Sequence, residues 1–257
     1  MKYFCIGHRA PLFSPNSLYT HVSSIVFQEL QQIIVPDDVF GPKYHGSILS
    51  EYTQLFGLAK VLEESPKDER IYIFQYRKFL SLMKGSQLSS NMPYVYACLP
   101  EEGEMLFPSH LDFQGLKDEF VIGQPIAVDS VAQQYALSHR VEDFSAFIYS
   151  LSKMNGFNER RCMNFIHSKM LLPAPSIGVF KIGIFLEHMQ TLQSAWQHFS
   201  SNFYVSREGY QRRVGGFLLE RLHSFLILEE INRKEQVLIK QGYQIVISDS
   251  LEITPTV

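Results

Sequence analysis

The stretch REGYQRRVGGFLLERLHSFLI, residues 207–227, opens on polar and basic side chains, crosses Gly215 and Gly216, and then turns apolar at helical spacing. At about 100° per residue, Val214, Phe217, Leu218, Leu222 and Phe225 fall in one arc, which predicts a helix buried along that arc. Arg221 falls inside the same arc, with Glu220 and Arg213 together on its flank. A buried guanidinium is costly unless it is paired and hydrogen-bonded, so Arg221 predicts either a carboxylate in the core or an anionic ligand. Arg212 and Arg213 stand where the unpaired N–H groups and dipole of a helix start favour anions, and the two glycines admit a close neighbour, ligand or backbone.

On either side of this helix the chain alternates between two patterns. KYFCIG (2–7), RIYIFQY (70–76), YVYACLP (94–100), SIGVFKIG (176–183) and YQIVIS (243–248) are rich in aromatic and β-branched residues and predict strands. SLYTHVSSIVFQELQQII (17–34) places Leu18, Val22, Ile25, Val26 and Leu30 on one face and predicts an amphipathic helix. SILSEYTQLFGLAKVLEE (47–64) predicts another, as do EDFSAFIYSLSKM (142–154) and IFLEHMQTLQSAWQHF (184–199). The alternation predicts an α/β domain with a mainly parallel sheet flanked by helices and a helix-rich C-terminal third. The loops at 84–93 and 99–115 are long enough to border a site, and the final EITPTV predicts a frayed end.

Composition removes several classes. With 23 Lys+Arg against 26 Asp+Glu, the 257 residues lack the broad positive surface of a non-specific nucleic-acid binder, so any anion must meet a local cluster. Cys5, Cys98 and Cys162 form no CxxC pair, which argues against a disulfide framework or a thiolate zinc site and fits a reducing cytoplasm. The apolar piece of MKYFCIGHRAPLF is too short for a signal-peptide core, and no window approaches the roughly 18 apolar residues of a membrane span. Membrane association is therefore expected to be peripheral at most. CIGHRAPLF offers only Gly7 after the first strand, against a dinucleotide- or methyl-donor-binding Rossmann enzyme with G-x-G-x-x-G.

Five segments, SEYTQLFGLAK (50–60), IYIFQYRKFL (71–80), YALSHRVEDFSAFI (135–148), IGVFKIGIFLEHMQTLQ (177–193) and GYQRRVGGFLLERL (209–222), stand in an order and spacing that resembles a family of bacterial capsule and O-antigen glycosyltransferases catalogued as domain of unknown function 4422. The resembling positions are Ser50, Glu51, Thr53, Phe56 and Lys60; Gln75, Tyr76, Arg77, Lys78 and Phe79; His139, Glu142 and Asp143; and Tyr210, Gln211, Arg213, Gly216, Phe217, Leu218, Glu220, Arg221 and Leu222. Gln75 replaces the family's usual histidine, Lys78 replaces its second arginine, and the tryptophans common after S-E-x-T are missing. The resemblance implies a GT-A-like fold over residues 1–257, with a nucleotide-binding half at about 1–115 and an acceptor-binding, helical half at about 116–250. It also implies transfer of galactose or galactofuranose from a nucleotide-diphosphate donor to a growing surface glycan, with a glycan or lipid-linked saccharide as acceptor and polysaccharide-assembly enzymes as partners. The place of action would be the cytoplasm or the inner face of the membrane.

That chemistry needs a grip on the diphosphate and, for inversion, a base for the acceptor hydroxyl. No D-x-D occurs in the chain, so Arg77 and Lys78 at a strand end, assisted by Arg213 and Gln211, are expected to hold the diphosphate without a metal. His110 and Asp112 in SHLDF form an H-x-D pair and are the weaker metal-binding alternative. Asp143 is the expected base, with Glu142 second, and His139 either orients them or is a satisfied core histidine, the commoner case; helix capping and dipole stabilisation account for the acidic pair equally well. Glu51 and Thr53 are candidates for a ribose or sugar contact, or for capping. His8 and Arg9, after the first strand, are candidates for the nucleotide base by fold analogy. Glu220 and Arg221 are expected to brace the site. Gln75 and the missing D-x-D also fit a second reading, a non-catalytic sugar- or nucleotide-binding relative in an assembly complex.

Overall fold

The structure is a computed structural model and describes residues 1–89, 95–113, 120–233 and 239–248; the terminal stretch expected to fray lies outside them. The strands are β1 (Lys2–Ile6), β2 (Thr20–Ser23), β3 (Gln32–Ile34), β4 (Arg70–Gln75), β5 (Lys78–Ser81), β6 (Gln87–Leu88), β7 (Val95–Cys98), β8 (Phe120–Ile122), β9 (Ile126–Ala127), β10 (Met170–Leu171), β11 (Gly178–Lys181), β12 (Ile239–Gln241) and β13 (Tyr243–Ile247). The helices are α1 (Gly46–Leu49), α2 (Tyr52–Leu62), α3 (Pro100–Leu106), α4 (Val131–Ala136), α5 (Val141–Leu151), α6 (Glu159–Ile166), α7 (Ile182–Asn202) and α8 (Val214–Arg233). All strands except the β9–β10 pair belong to one sheet of eleven strands, in which β1 and β13 are both internal.

The α/β architecture follows from strands that are apolar on both faces. Phe4 and Ile6 of β1, with Ile71 and Ile73 of β4, point into a core covered by α1, α2, α4, α5, α7 and α8. Tyr3 and Cys5, with Tyr72 and Phe74, point the other way against Phe13, Phe107, Phe113 and Ile247. This period-two division buries every one of those side chains. The sheet is parallel across β3–β2–β1–β4, the block that carries the site. Beyond β4 it continues antiparallel through β11 to β8 and, by a hairpin, through β5 to β13. Parallel pairs return at β8–β12 and β7–β13. The two longest helices, α7 and α8, pack on each other and supply the helix-rich C-terminal third.

One expected helix is absent. Residues 17–34 form β2 and β3, and of the five side chains assigned to its apolar face only Val22 is buried; Leu18 is 96% and Val26 66% exposed. Two short β-branched pieces, each able to extend the parallel ladder beside β1, win over a helical period that has nothing to pack against. The helix expected over 47–64 is broken at Ser50, whose φ of 57° and ψ of −130° end α1 before α2 begins. The break lets α1 lie against α8. A Cβ on Gly215 would stand 2.4 Å from Leu49 Cδ2, and one on Gly216 would stand 2.5 Å from Ser50 Oγ, so the glycine pair admits a neighbouring helix.

Candidate functional site

In the parallel block, β1 pairs with β2 on one side and β4 on the other, so the chain changes direction of growth at β1. Ligands of open α/β sheets gather outside the carboxyl ends of the strands at such a switch point. A cleft of about 710 Å³ opens there, within the usual range for a small-molecule site. Its sheet side is made by Ile6 at the end of β1 with Gly7 and His8 after it, Ser24 after β2, Asp37 after β3, and the β4–β5 connection. Gln75 pairs with Lys78, so Tyr76 and Arg77 form the two-residue tip of that hairpin. The Tyr76 ring lies 5.9 Å from the His8 ring, with the Arg9 and Arg77 guanidiniums 6.0 and 5.6 Å from its centroid. Aromatic and cationic surface therefore meet at this end of the cleft.

The opposite wall carries charge. Glu51 stands at the N-cap of α2 without capping it. Its Oε1 instead accepts long hydrogen bonds of 3.4 Å from Gln75 Nε2 and from Ser176 Oγ. Burial, and next the Glu220 carboxylate, push the Glu51 carboxyl above its ordinary value, while Lys78 and Arg213 oppose them. Burial likewise pulls the Lys78 ammonium down, against the pull of Glu220 and Glu51. Arg213 Nε donates to Ser50 Oγ at 3.0 Å. Ser50 and Ala174 are the non-glycine residues with positive φ among those described, and both line this cleft. Strained backbone of this kind persists where the surrounding structure over-determines it.

Arg221 is held from several directions, its side chain only 8% exposed. It donates to Gln134 Oε1 (3.1 Å), the Phe217 carbonyl (3.2 Å) and Glu220 Oε2 (3.2 Å), and meets His139 Nε2 at 3.4 Å. Glu220, its expected helper, also lines the cleft. His139 stacks on Phe217 with ring centroids 3.9 Å apart. Burial, and then the Arg221 charge, lower its pKa to about 4, so it is neutral near pH 7.

The other sequence candidates lie elsewhere. Thr53 is fully buried and its hydroxyl donates to the Tyr44 carbonyl, so it does not contact the cleft. Gln211 is not among the cleft-lining residues, and its amide donates to the Ser138 carbonyl at 3.0 Å. Asp112 accepts from Ser109 N and Oγ through one carboxylate oxygen, and neither it nor His110 lines the cleft. Among the described residues no group of three or more His, Cys, Asp or Glu stands together as a ligand set for a metal.

The acidic pair lies away from the cleft. Glu142 is exposed on the first turn of α5, and neither member lines the cleft. Asp143 is 5% exposed, with Arg207 Nη2 donating to Oδ1 at 2.7 Å and Nε to Oδ2 at 3.3 Å. A bidentate partner of this kind occupies the oxygens that a base would need. Asp143→Ala should therefore destabilise the fold by about 3 kcal/mol in urea unfolding, because it strands the Arg207 charge, while ligand affinity at the cleft stays within about twofold. A variant as stable as the parent but unable to turn over would return Asp143 to the base role.

Several lining residues carry no sequence motif. Asp37 follows β3, which the helical period of 17–34 concealed; Ser24 follows β2 for the same reason. Ala174 is betrayed only by its φ of 47°. Tyr210 and Phe217 belong to the stretch that carries the resemblance, but neither is among the site candidates of the sequence, and Phe217 falls in the apolar arc.

No family model and no curated protein sequence matches the chain. Among solved structures, the apo form of WbbM, described as a bifunctional glycosyltransferase, superposes on 100% of this chain with a TM-score of 0.76 and 16% sequence identity. The chain spans 47% of that structure, about half its length. At this identity the likeness shows a shared fold: a mixed α/β sheet flanked by helices in an arrangement that a glycosyltransferase also adopts. No helix among the described residues is long and apolar enough to cross a membrane.

Proposed function

We propose that this chain is a nucleotide-sugar-dependent glycosyltransferase that moves a hexose, galactose or galactofuranose, with inversion onto a growing bacterial surface glycan. The observation that carries this reading is the cleft at the carboxyl ends of β1, β2, β3 and β4, where Lys78, Arg77 and Arg213 converge with Glu51 and Glu220. The shared fold supports sugar transfer in general. The choice of galactose and of a surface glycan rests on the sequence resemblance to capsule and O-antigen enzymes.

In this reading His8, Arg9 and Tyr76 border the nucleoside end, where aromatic and cationic groups cluster. Lys78 and Arg213, with Arg77 at the hairpin tip, face the diphosphate and stabilise the charge that grows on it as the sugar leaves. Glu51 takes the place expected for Asp143. Its carboxylate accepts the acceptor hydroxyl proton while the acceptor oxygen bonds to the anomeric carbon, and the electron pair of the broken C–O bond departs with the diphosphate. The protein cations supply directly the positive charge that other enzymes of this fold class obtain from a D-x-D-bound metal.

Thermal unfolding with a panel of nucleoside diphosphates and their sugars, in manganese and in EDTA, tests the proposal. Specific binding at 100 times Kd adds about 2.7 kcal/mol to stability. The expected result is stabilisation by one nucleotide that survives EDTA. Stabilisation lost in EDTA would restore a metal, and stabilisation without turnover would favour the non-catalytic binding module. No stabilisation by any nucleotide would remove the nucleotide-sugar reading.

A further inference from the structure

At the α8 end of the cleft three rings pack together in a cluster. His139 and Phe217 lie 3.9 Å apart at 19°, Tyr210 and Phe217 4.9 Å apart at 39°, and Tyr210 and His139 5.9 Å apart at 22°. Two of them contribute to the cleft lining but are mostly buried, His139 at 9% and Phe217 at 5% exposure. Tyr210 is 39% exposed and lines the cleft, so packing against His139 and Phe217 holds the ring while part of it faces the cleft. Arg213, hydrogen-bonded to Ser50, approaches the Phe217 ring at 5.6 Å and so joins the charged wall to this stack. The nucleoside end has its own aromatic, Tyr76, on the β4–β5 hairpin.

A rigid, half-exposed ring beside charged groups suits a ligand with an apolar C–H face and a hydroxylated rim. Those C–H groups meet the negative face of the ring, and the pinned side chain loses little entropy on binding. We propose that Tyr210 is the platform on which the acceptor sugar ring stacks, which makes it a specificity-determining residue for the acceptor. This inference rests on the sugar-transfer reading above and deepens it by separating a sugar-stacking end of the cleft from its nucleotide end. The phenolic hydroxyl is not needed for stacking.

The test titrates methyl β-galactopyranoside into the full chain, with and without a saturating nucleoside diphosphate, and follows binding by saturation-transfer NMR. Circular dichroism confirms that each variant is folded. Tyr210→Ala should weaken glycoside binding roughly tenfold, whereas Tyr210→Phe should keep it and both should keep nucleotide affinity. Glycoside affinity that ignores Tyr210→Ala, a parent protein that binds no glycoside, or a loss of nucleotide affinity in Tyr210→Ala would overturn the platform. A parent that binds glycoside in a Tyr210-dependent way but no nucleotide would keep the platform and overturn the transfer reading instead.

Discussion

Glu51→Gln is expected to lower kcat by roughly 10²- to 10⁴-fold, the usual effect of removing a general base, while nucleotide affinity holds or improves. The two effects have separate causes. Glutamine keeps the shape of the side chain beside Gln75 and Ser176 but cannot take a proton from the acceptor hydroxyl. It also removes a negative charge beside Lys78, leaving that ammonium freer to face the diphosphate. The pH profile gives the sign. Burial and the Glu220 carboxylate raise the Glu51 carboxyl, so it stays protonated, and inactive as a base, to a higher pH than an ordinary glutamate. Turnover in the parent should therefore rise with pH along a limb displaced upward from the common carboxylate range, and Glu51→Gln should lack that limb. A variant that keeps both kcat and the limb would show that Glu51 only holds Lys78.

The sequence announces the charged wall of this site more clearly than its floor, for a physical reason. Arg221 inside an apolar helical arc breaks a local rule, and such breaks are visible in one dimension: the side chain is indeed buried and multiply hydrogen-bonded. Gln75 ends a strand of unmistakable β composition, so its place at the carboxyl edge, with Tyr76 and Arg77 next to it at the hairpin tip, follows from the strand itself; that Lys78 opens the returning strand does not. Asp37 and Ser24 depend on β2 and β3, which are too short to impose a period of two against a chance helical one. Asp143 is a different case. Its chemistry suits a base, but Arg207 lies 64 residues away along the chain, and no local pattern predicts a partner at that separation.

The last expectation divides two arginines eight positions apart on the same helical segment. Arg221→Ala should cost about 3 kcal/mol, because it removes the hydrogen bonds to Gln134, the Phe217 carbonyl and Glu220 from a mostly buried guanidinium, while Glu220 itself stays partly solvated at the cleft. In a chain of this size that is a fall of roughly 10 °C in Tm. Arg213 is exposed and bonds only the Ser50 hydroxyl and the Phe217 face among the contacts described, so Arg213→Ala should change stability by less than about 0.5 kcal/mol. If its guanidinium faces the diphosphate, the same change should weaken nucleotide binding by roughly tenfold or more. His139 supplies an internal check on Arg221: its pKa, held at about 4 by burial and by the Arg221 charge, should rise in Arg221→Ala and stay low in Arg213→Ala, where the weaker of the two arginine charges is removed. Equal losses of Tm in both variants, with nucleotide affinity unchanged, would mean that neither arginine addresses a ligand and that the pair braces the junction of α1 and α8.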